Sequence, residues 1–558
     1  MRAPSPGATS VVGMEPTPSR RTLLTAGLVG TAAVAASPSV LPTAAVAAPV
    51  PRTNPFTLGV ASGDPWPDSV ILWTRLATDP MADDGRGGMS QASHQLRWEV
   101  ASDQRFTKVV ASGTATARPE HGHAVHVEAR GLRPGREYWY RFRLGRHVSR
   151  TGRTRTAPRR NEMPSALAMA FASCAHWEQG YFSAYRRLAD ERPDLVVHLG
   201  DYQYEYAGAT TGVRTHEGPE TTTLAGYRQR HAQYKTDPDL QAAHAVAPWL
   251  VTWDDHEVDN NWADSIPENE AERPGFLSRR EAAFRAYYEN MPLRPSSAPT
   301  GYDMQLYRRL QWGQLATFHM MDTRQYRSNQ ACGDGWDTDC PEASSARRTI
   351  TGTAQEAWLL DGFQRSRARW DLLGQQVFFA ERDREQGAST TVSMDAWDGY
   401  TASRQRITDG WLDGGVRNPV VLTGDVHTHW ANELKADYDD PEGRSVGTEL
   451  VTSSVTSGGD GSDSAIGSYP WQAWNPHIKF QNALRGYVST VITPGAMDVS
   501  FRCLPQVRER GAQAFTRARF VVEDRDPTLH LVEDNPIDIV RQSPARQVAE
   551  TLALEDEL

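Results

Sequence analysis

Three short apolar runs before Trp262 each end in residues able to bind a cation, and that repetition limits the folds open to this chain. Leu167 to Ala172 leads into Ser173-Cys174, Leu195 to Leu199 into Gly200-Asp201-Tyr202-Gln203-Tyr204-Glu205, and Pro248 to Thr252 into Trp253-Asp254-Asp255-His256-Glu257. Unbroken apolar runs of this length, bounded by polar turns, fit strands buried on both faces. Between the first two, Tyr181 to Asp190 has the pattern of a helix. Strand, helix, strand is the order of a parallel sheet covered by helices, and such sheets gather ligands at the carboxyl ends of their strands.

The same arrangement recurs further on. Leu315 to Met321 ends in Asp322-Thr323-Arg324-Gln325-Tyr326-Arg327, and Pro419 to Thr423 ends in Gly424-Asp425-Val426-His427-Thr428-His429. Gln376 to Ala380, Leu450 to Val455 and Tyr487 to Pro494 predict further strands, and Ser278 to Tyr288 a helix. Upstream the pattern differs. Between 55 and 156, Leu96, Trp98 and Val100 alternate with polar residues, as do Tyr138, Tyr140, Phe142 and Leu144, with turns at Gly63-Asp64-Pro65 and Arg133-Pro134-Gly135. Short alternating strands at that spacing predict a small β-sandwich of immunoglobulin or fibronectin type. The expected division is a leader over 1–47, a β-sandwich over 55–156, a catalytic α/β (α+β) domain over 165–520, and a tail over 521–558 carrying a short amphipathic helix.

The leader is read from Ser19-Arg20-Arg21-Thr22-Leu23-Leu24, a mild Ala/Gly/Leu/Val run, and Ala45-Val46-Ala47 before Ala48-Pro49. A positive start, a weak apolar segment, small residues at the end and paired arginines predict export of a folded protein by the twin-arginine machinery and a secreted product; the alternative is an ordinary secretory signal with a fortuitous arginine pair. A net charge of −10 with intermixed signs excludes a surface built to coat nucleic acid. Of four cysteines, Cys332 and Cys340 enclose a short Gly/Asp-rich loop, either as one disulfide in an oxidising compartment or as two free thiols.

Phosphate-ester hydrolysis at a two-cation centre requires a bridging carboxylate, further ligands on each cation, and a water activated to hydroxide between them. Asp201 is the natural bridge, with Asp255, Asp425 and His427 arriving from other strands. The spacing of Asp425 and His427 predicts that both project from one side of an extended segment. A thiolate from Cys174 and a phenolate from Tyr204 suit a trivalent iron, whereas carboxylates alone suit calcium. A mixed centre of Fe3+ and Ca2+ follows as an expectation.

Gly-Asp-x-x-Tyr at 200–204, Trp-Asp-Asp-His-Glu at 253–257, Asp-Thr-Arg-Gln-Tyr-Arg at 322–327 and Gly-Asp-Val-His at 424–427 together resemble the alkaline phosphatase D family. That family is related to purple acid phosphatases and to calcineurin-like metallophosphoesterases. The likeness extends over nearly all of the chain beyond the leader, including Gly59-Val60-Ala61-Ser62-Gly63-Asp64-Pro65. It implies a calcineurin-like metallophosphoesterase sandwich behind the small all-β domain. It places iron on Cys174, Asp201, Tyr204 and His427, and calcium on Asp201, Asp255 and Asp425, with Asp259 or Asn261 assisting a second calcium. His256 is implied to act as general acid or to steady the transition state, so that the catalytic set is His256, Asp201 and Asp255.

The expected activity is that of a secreted phosphodiesterase or phosphatase. An alternative is a phospholipase D that releases phosphatidate, with a transient contact at a lipid interface through Trp262, Trp336, Trp397 and Trp471 to Trp474, residues that serve equally as core. An alternative of another class is a non-catalytic cell-wall or carbohydrate-binding protein. Arg324 and Arg327 are read as partners either of substrate phosphate or of structural carboxylates, His429 as a neighbour of the ligands, and Glu257 as the acid that orients His256.

Overall fold

The computed structural model describes residues 49–537 other than 441 and 464–469. The segment 1–47 read as an export leader and residues 538–558 of the expected tail lie outside the described residues. Two sheets form the catalytic layers. The first has ten strands, and at its centre Leu167–Ala172, Leu195–His198 and Pro248–Val251 run parallel, with Leu195 opposite Met169 and Val197 opposite both Phe171 and Leu250. The second has seven, in which Ala316–Met320, Trp370–Gly374, Pro419–Thr423 and Ser445–Val451 are successive parallel neighbours.

Side-chain alternation along each strand decides what packs where. Met169, Phe171, Leu195 and Val197 face the second sheet and meet Phe318, Leu372, Val420 and Leu422. Ala170, Ala172 and Val196 face the other way, into a layer that includes helices Leu224–Lys235 and Arg273–Asn290. Helices Gly352–Arg365 and Thr401–Asp413 cover the outer face of the second sheet. Each fully buried Leu or Val in these layers stabilises the fold by about 1.5–3 kcal/mol. The helix expected over 181–190 spans Ser183–Glu191.

The N-terminal strands form a two-layer sandwich, in which Val70, Leu72, Val125 and Val127 pack on Leu96, Val100, Tyr140 and Phe142. One of its layers is not its own. Val60–Gly63, Ser69–Arg75 and Ala124–Arg130 continue the ten-stranded sheet, joined where Ser62 pairs in parallel with Pro248. At the other end of the chain, Phe515–Glu523 and Asp526–Asp534 form the far edge of the same sheet. The sheet therefore runs on past the point where the sequence suggested that a tail begins.

Two further expectations are corrected. The apolar run Gln376 to Ala380 is not a strand; the strand is Trp370–Gly374. The run is buried all the same because the Glu449 carboxylate accepts the N–H groups of Phe379 and Ala380 at 2.7 and 2.9 Å, supplying the partners a sheet would have given. Trp262, Trp397 and Trp471 are buried, which removes them as contacts with a lipid surface, whereas Trp336 and Trp474 are half-buried. No helix among the described residues is long and apolar enough to cross a membrane.

Candidate metal centre

The carboxyl ends of the two sheets meet, tied by a parallel bridge between Ser173 and Ser454. Gly200 makes the approach possible. It sits at φ +113°, and a Cβ there would lie 2.4 Å from Cβ of Asp254, a contact no side chain tolerates. Immediately beyond the strands the backbone turns sharply. Cys174, Asp201, Asp425 and His427 all have φ between +52° and +63°, a region costing about 1–3 kcal/mol for a residue with a side chain. Four such residues at one place mark a site whose geometry the surrounding structure imposes. The extended segment expected for Asp425 and His427 is thus a pair of left-handed residues in a turn, which sends the two side chains to different ends of the centre.

Three groups of ligand atoms overlap there, each within 4.8 Å: Cys174, Asp201 and His427; Asp201, Asp255 and His256; Asp254, Asp255 and Asp425. Asp201 and Asp255 each belong to two groups, so the three form a continuous row. Tyr204 joins the first, its hydroxyl donating to Asp201 Oδ2 at 3.0 Å and lying 3.2 Å from His427 Nε2 and 2.7 Å from Ser457 Oγ. All of these side chains are buried. The structure therefore brings together Cys174, Asp201, Tyr204, Asp255, Asp425 and His427 and adds Asp254 and Ser457, while Asp259 stays outside the row.

The electrostatics call for cations. Asp201 Oδ1 is buried without a hydrogen-bond partner, a costly state for a carboxylate. Burial and the neighbouring Asp255 push Asp201 well above the usual carboxylate range, and burial with Asp254 does the same to Asp425. Burial and Asp201 also raise the Cys174 thiol and the Tyr204 phenol far above their ordinary values, while burial takes His427 down to about 3. Burial thus drives each of these groups toward its neutral form; a cation among them opposes that preference and gives the orphaned oxygen a partner. A thiol, a phenol, an imidazole and a carboxylate at one end, and carboxylates at the other, fit a metal at each.

Arg324 sets the carboxylate end apart. It is fully buried, 2.6 Å from Asp254 and 2.8 Å from Asp395, with Nη2 at 3.8 Å from Asp255 and 3.6 Å from Asp425. Burial opposes ionisation of Asp255, but Arg324 and His256 outweigh it and hold that carboxyl well below its usual range. Arg327 pairs with Asp395 at 2.9 Å. Arg327 therefore serves a structural carboxylate, whereas Arg324 links that carboxylate to the ligand row.

His256 Nδ1 lies 2.9 Å from Glu205 Oε2, and its ring is 4.1 Å from that of Tyr204. Burial disfavours the imidazolium, yet Asp255 and Glu205 raise it well above the ordinary histidine value. Glu257, expected to orient His256, instead accepts the backbone N–H groups of Asp201, Tyr202 and Asp254 at 2.7–3.0 Å and fixes the loops that carry the ligands. Glu205 was missed, although it closes the Asp201-to-Glu205 motif. Asp259 is committed to Arg279 at 2.9 Å, and His429 Nδ1 accepts the Ser453 N–H at 3.0 Å. Beside the row opens a cavity of about 470 Å³ whose lining includes Tyr206, Asn260, Asn261, Glu268, Gln330 and Asp334.

Helix-covered sheets that converge buried carboxylates, a thiol, a phenol and an imidazole at their strand ends define the class of metal-dependent hydrolases. Comparison with known proteins narrows the class. Residues 169–501 match the model of the PhoD-like phosphatase family, and residues 42–158 match the model of its N-terminal domain. Alkaline phosphatase D of Bacillus subtilis (strain 168) is 47% identical over 496 residues, covering 88% of this chain and 85% of that protein. A solved structure of PhoD superposes with a TM-score of 0.86 at 45% identity, covering 91% of this chain and 99% of that one. The chain belongs to the PhoD-like phosphatase family and is a phosphoric ester hydrolase. The reading as a non-catalytic binding protein is thereby set aside.

Proposed function

We propose that this hydrolase works with iron at the end formed by Cys174, Asp201, Tyr204 and His427 and with calcium at the end formed by Asp201, Asp255 and Asp425, cleaving phosphate diesters and monoesters. The observation that carries this reading is the unbroken row of ligand groups, in which Asp201 is shared between neighbouring groups and the donor chemistry changes from sulfur, phenol and imidazole to carboxylate alone. When bound, the two cations supply Lewis acidity toward the phosphoryl oxygens and a water-derived nucleophile at working pH. The protein supplies the rest. Glu205 fixes the His256 ring by holding Nδ1, which leaves Nε2 as the nitrogen available to a leaving group. With Nδ1 held by Glu205, His256 is placed to give a proton from Nε2 to the departing alkoxide. Glu257 keeps Asp201 and Asp254 in register with each other. Arg324 balances the charge of the carboxylate end, so that substrate phosphate approaches a site that is not uniformly negative.

The proposal includes secretion of the folded protein by the twin-arginine route, supported by Ser19-Arg20-Arg21-Thr22-Leu23-Leu24 and the Ala45-Val46-Ala47 site. Substrate choice is decided by phosphorus NMR on iron- and calcium-loaded enzyme given phosphatidylcholine micelles together with a soluble phosphomonoester and a soluble diester. Inorganic phosphate or a monoester product from the soluble substrates, with intact lipid, is the expected result. Rapid phosphatidate with little else would make the protein a phospholipase D, and silence on all three would overturn the assignment.

A further inference from the structure

We propose that the Cys332–Cys340 disulfide is a positioning clamp for the carboxylate end of the centre, acting through Asp334 and Asn261. The inference rests on the reading of that centre as the hydrolytic site. The two cysteines form a disulfide eight residues apart in sequence, with their Cα atoms 6.4 Å apart. The ring they close contains Gly333 and Asp334, both of which line the cavity beside the ligands. From there the contacts run directly to the centre. Asp334 Oδ2 accepts Asn261 Nδ2–H at 3.1 Å, and the backbone N–H of Asn261 donates to Asp255 Oδ2 at 2.8 Å. Gln330, two residues before the ring, donates to the Asn261 carbonyl at 2.7 Å and to Asp395 at 2.8 Å, the carboxylate that Arg324 also holds.

The backbone explains why a covalent link is needed. Cys332, Gly333 and Asp334 have φ of +52°, +99° and +77° in succession, and two of the three carry side chains that disfavour this region. Beyond them the ring is tied into the fold by the pairing of Trp336–Thr338 with Thr391–Ser393 and by Met394 N–H on the Gly335 carbonyl at 2.8 Å. The backbone from Cys332 to Asp334 is held more lightly, with Asp334 N–H on Ala331 O at 3.2 Å and Cys332 N–H on Glu342 at 3.3 Å. Opening the disulfide frees that strained corner while the paired half of the ring stays in place. Asp334 then ceases to fix Asn261, and Asp255 loses its fixed donor.

Asp334 and Asn261 are thus positioning residues, and oxidation of the two thiols fixes the wall of the cavity beside the ligands. Cys332 is exposed, so oxidants and reductants reach it without unfolding the chain.

The test uses the iron- and calcium-loaded protein with Cys332→Ser and Cys340→Ser together, compared with wild type. Hydrogen exchange followed by mass spectrometry is expected to show the peptide spanning Asp255 to Trp262 exchanging about tenfold faster in the variant, while the strand peptide Leu195–His198 is unchanged. On a soluble phosphate ester, KM is expected to rise about tenfold with a much smaller change in kcat. Asp334→Ala in the oxidised protein should reproduce both effects, Asp334→Asn should largely rescue them by keeping an acceptor oxygen, and combining Asp334→Ala with the serine pair should add little. Should the serine pair fail to accumulate, wild-type protein reduced and alkylated at these two cysteines gives the same readouts. Unchanged exchange at 255–262, an unchanged KM, or additive effects of Asp334→Ala and the serine pair would each overturn the clamp. Absence of activity on every ester would instead remove the hydrolytic reading and leave the exchange result to stand.

Discussion

The two ends of the ligand row solve the problem of buried charge in opposite ways. At the carboxylate end, Asp254, Asp255 and Asp425 face a permanent cation, Arg324, so part of their charge is balanced before any metal binds. At the other end, burial favours the neutral forms of Cys174, Tyr204 and His427, of which the thiol and the phenol become good ligands by losing protons to a strong Lewis acid. On the proposed assignment of a cation to each end, the difference teaches which of the two is exchangeable. A metal at the thiol end is retained by bonds that deprotonated ligands make to it, whereas one at the carboxylate end competes with a guanidinium already there.

Removing the residue common to both ends has the largest effect. Asp201→Asn is expected to lose both metals by elemental analysis and about 10⁴-fold in kcat/KM, equivalent to about 5 kcal/mol of transition-state stabilisation. Retention of either metal at wild-type occupancy would break the picture of a shared bridge. Next comes selective chelation. Brief treatment with a calcium chelator should abolish about 99.9% of activity, reversibly on adding calcium, while the phenolate-to-iron absorption band persists; loss of the band together with the activity would make the two ends a single binding unit. Tyr204→Phe should remove that band and lower kcat about 10²-fold with calcium affinity intact, as visible spectroscopy and calcium titration would show. The smallest effect on turnover belongs to Arg324→Gln, expected to cost about tenfold at saturating calcium. Its larger signature is in stability: the metal-free variant should unfold about 3–5 kcal/mol more easily, because Asp254 loses its partner while Asp395 keeps Arg327, and calcium should recover part of that loss in a denaturant titration.

The row was legible in the sequence to the extent that each ligand follows an apolar strand. Phe171, Leu199, Thr252 and Thr423 close runs that could only be buried, and the residues just beyond them had to emerge at one rim. Contacts between distant segments were not legible. Nothing in Trp253-Asp254-Asp255 says that Asp254 meets Arg324 from another sheet, and Ser457 approaches Tyr204 from a segment with no motif. The assignment of Glu257 to His256 failed for a related reason: adjacent residues in a turn point in different directions, and Glu257 points back to the backbone while Glu205 reaches the imidazole. The run Gln376 to Ala380 misled because burial without strand pairing requires a remote carboxylate, Glu449, that periodicity cannot reveal.

The shared sheet has a consequence for the order of events during synthesis. Val60–Gly63 takes as its parallel neighbour Pro248–Val251, so the first strand among the described residues waits, as the chain leaves the ribosome, for one encoded far behind it. Until then the sandwich exposes a bare strand edge and one unclosed layer, the state most open to wrong pairing and to proteases. A fragment ending after the linker near 158 should therefore accumulate poorly, and a chaperone that shields the early strands should raise the yield of the whole protein. The segment that looks in sequence like an independent module therefore stays unfinished until Pro248–Val251 has been made.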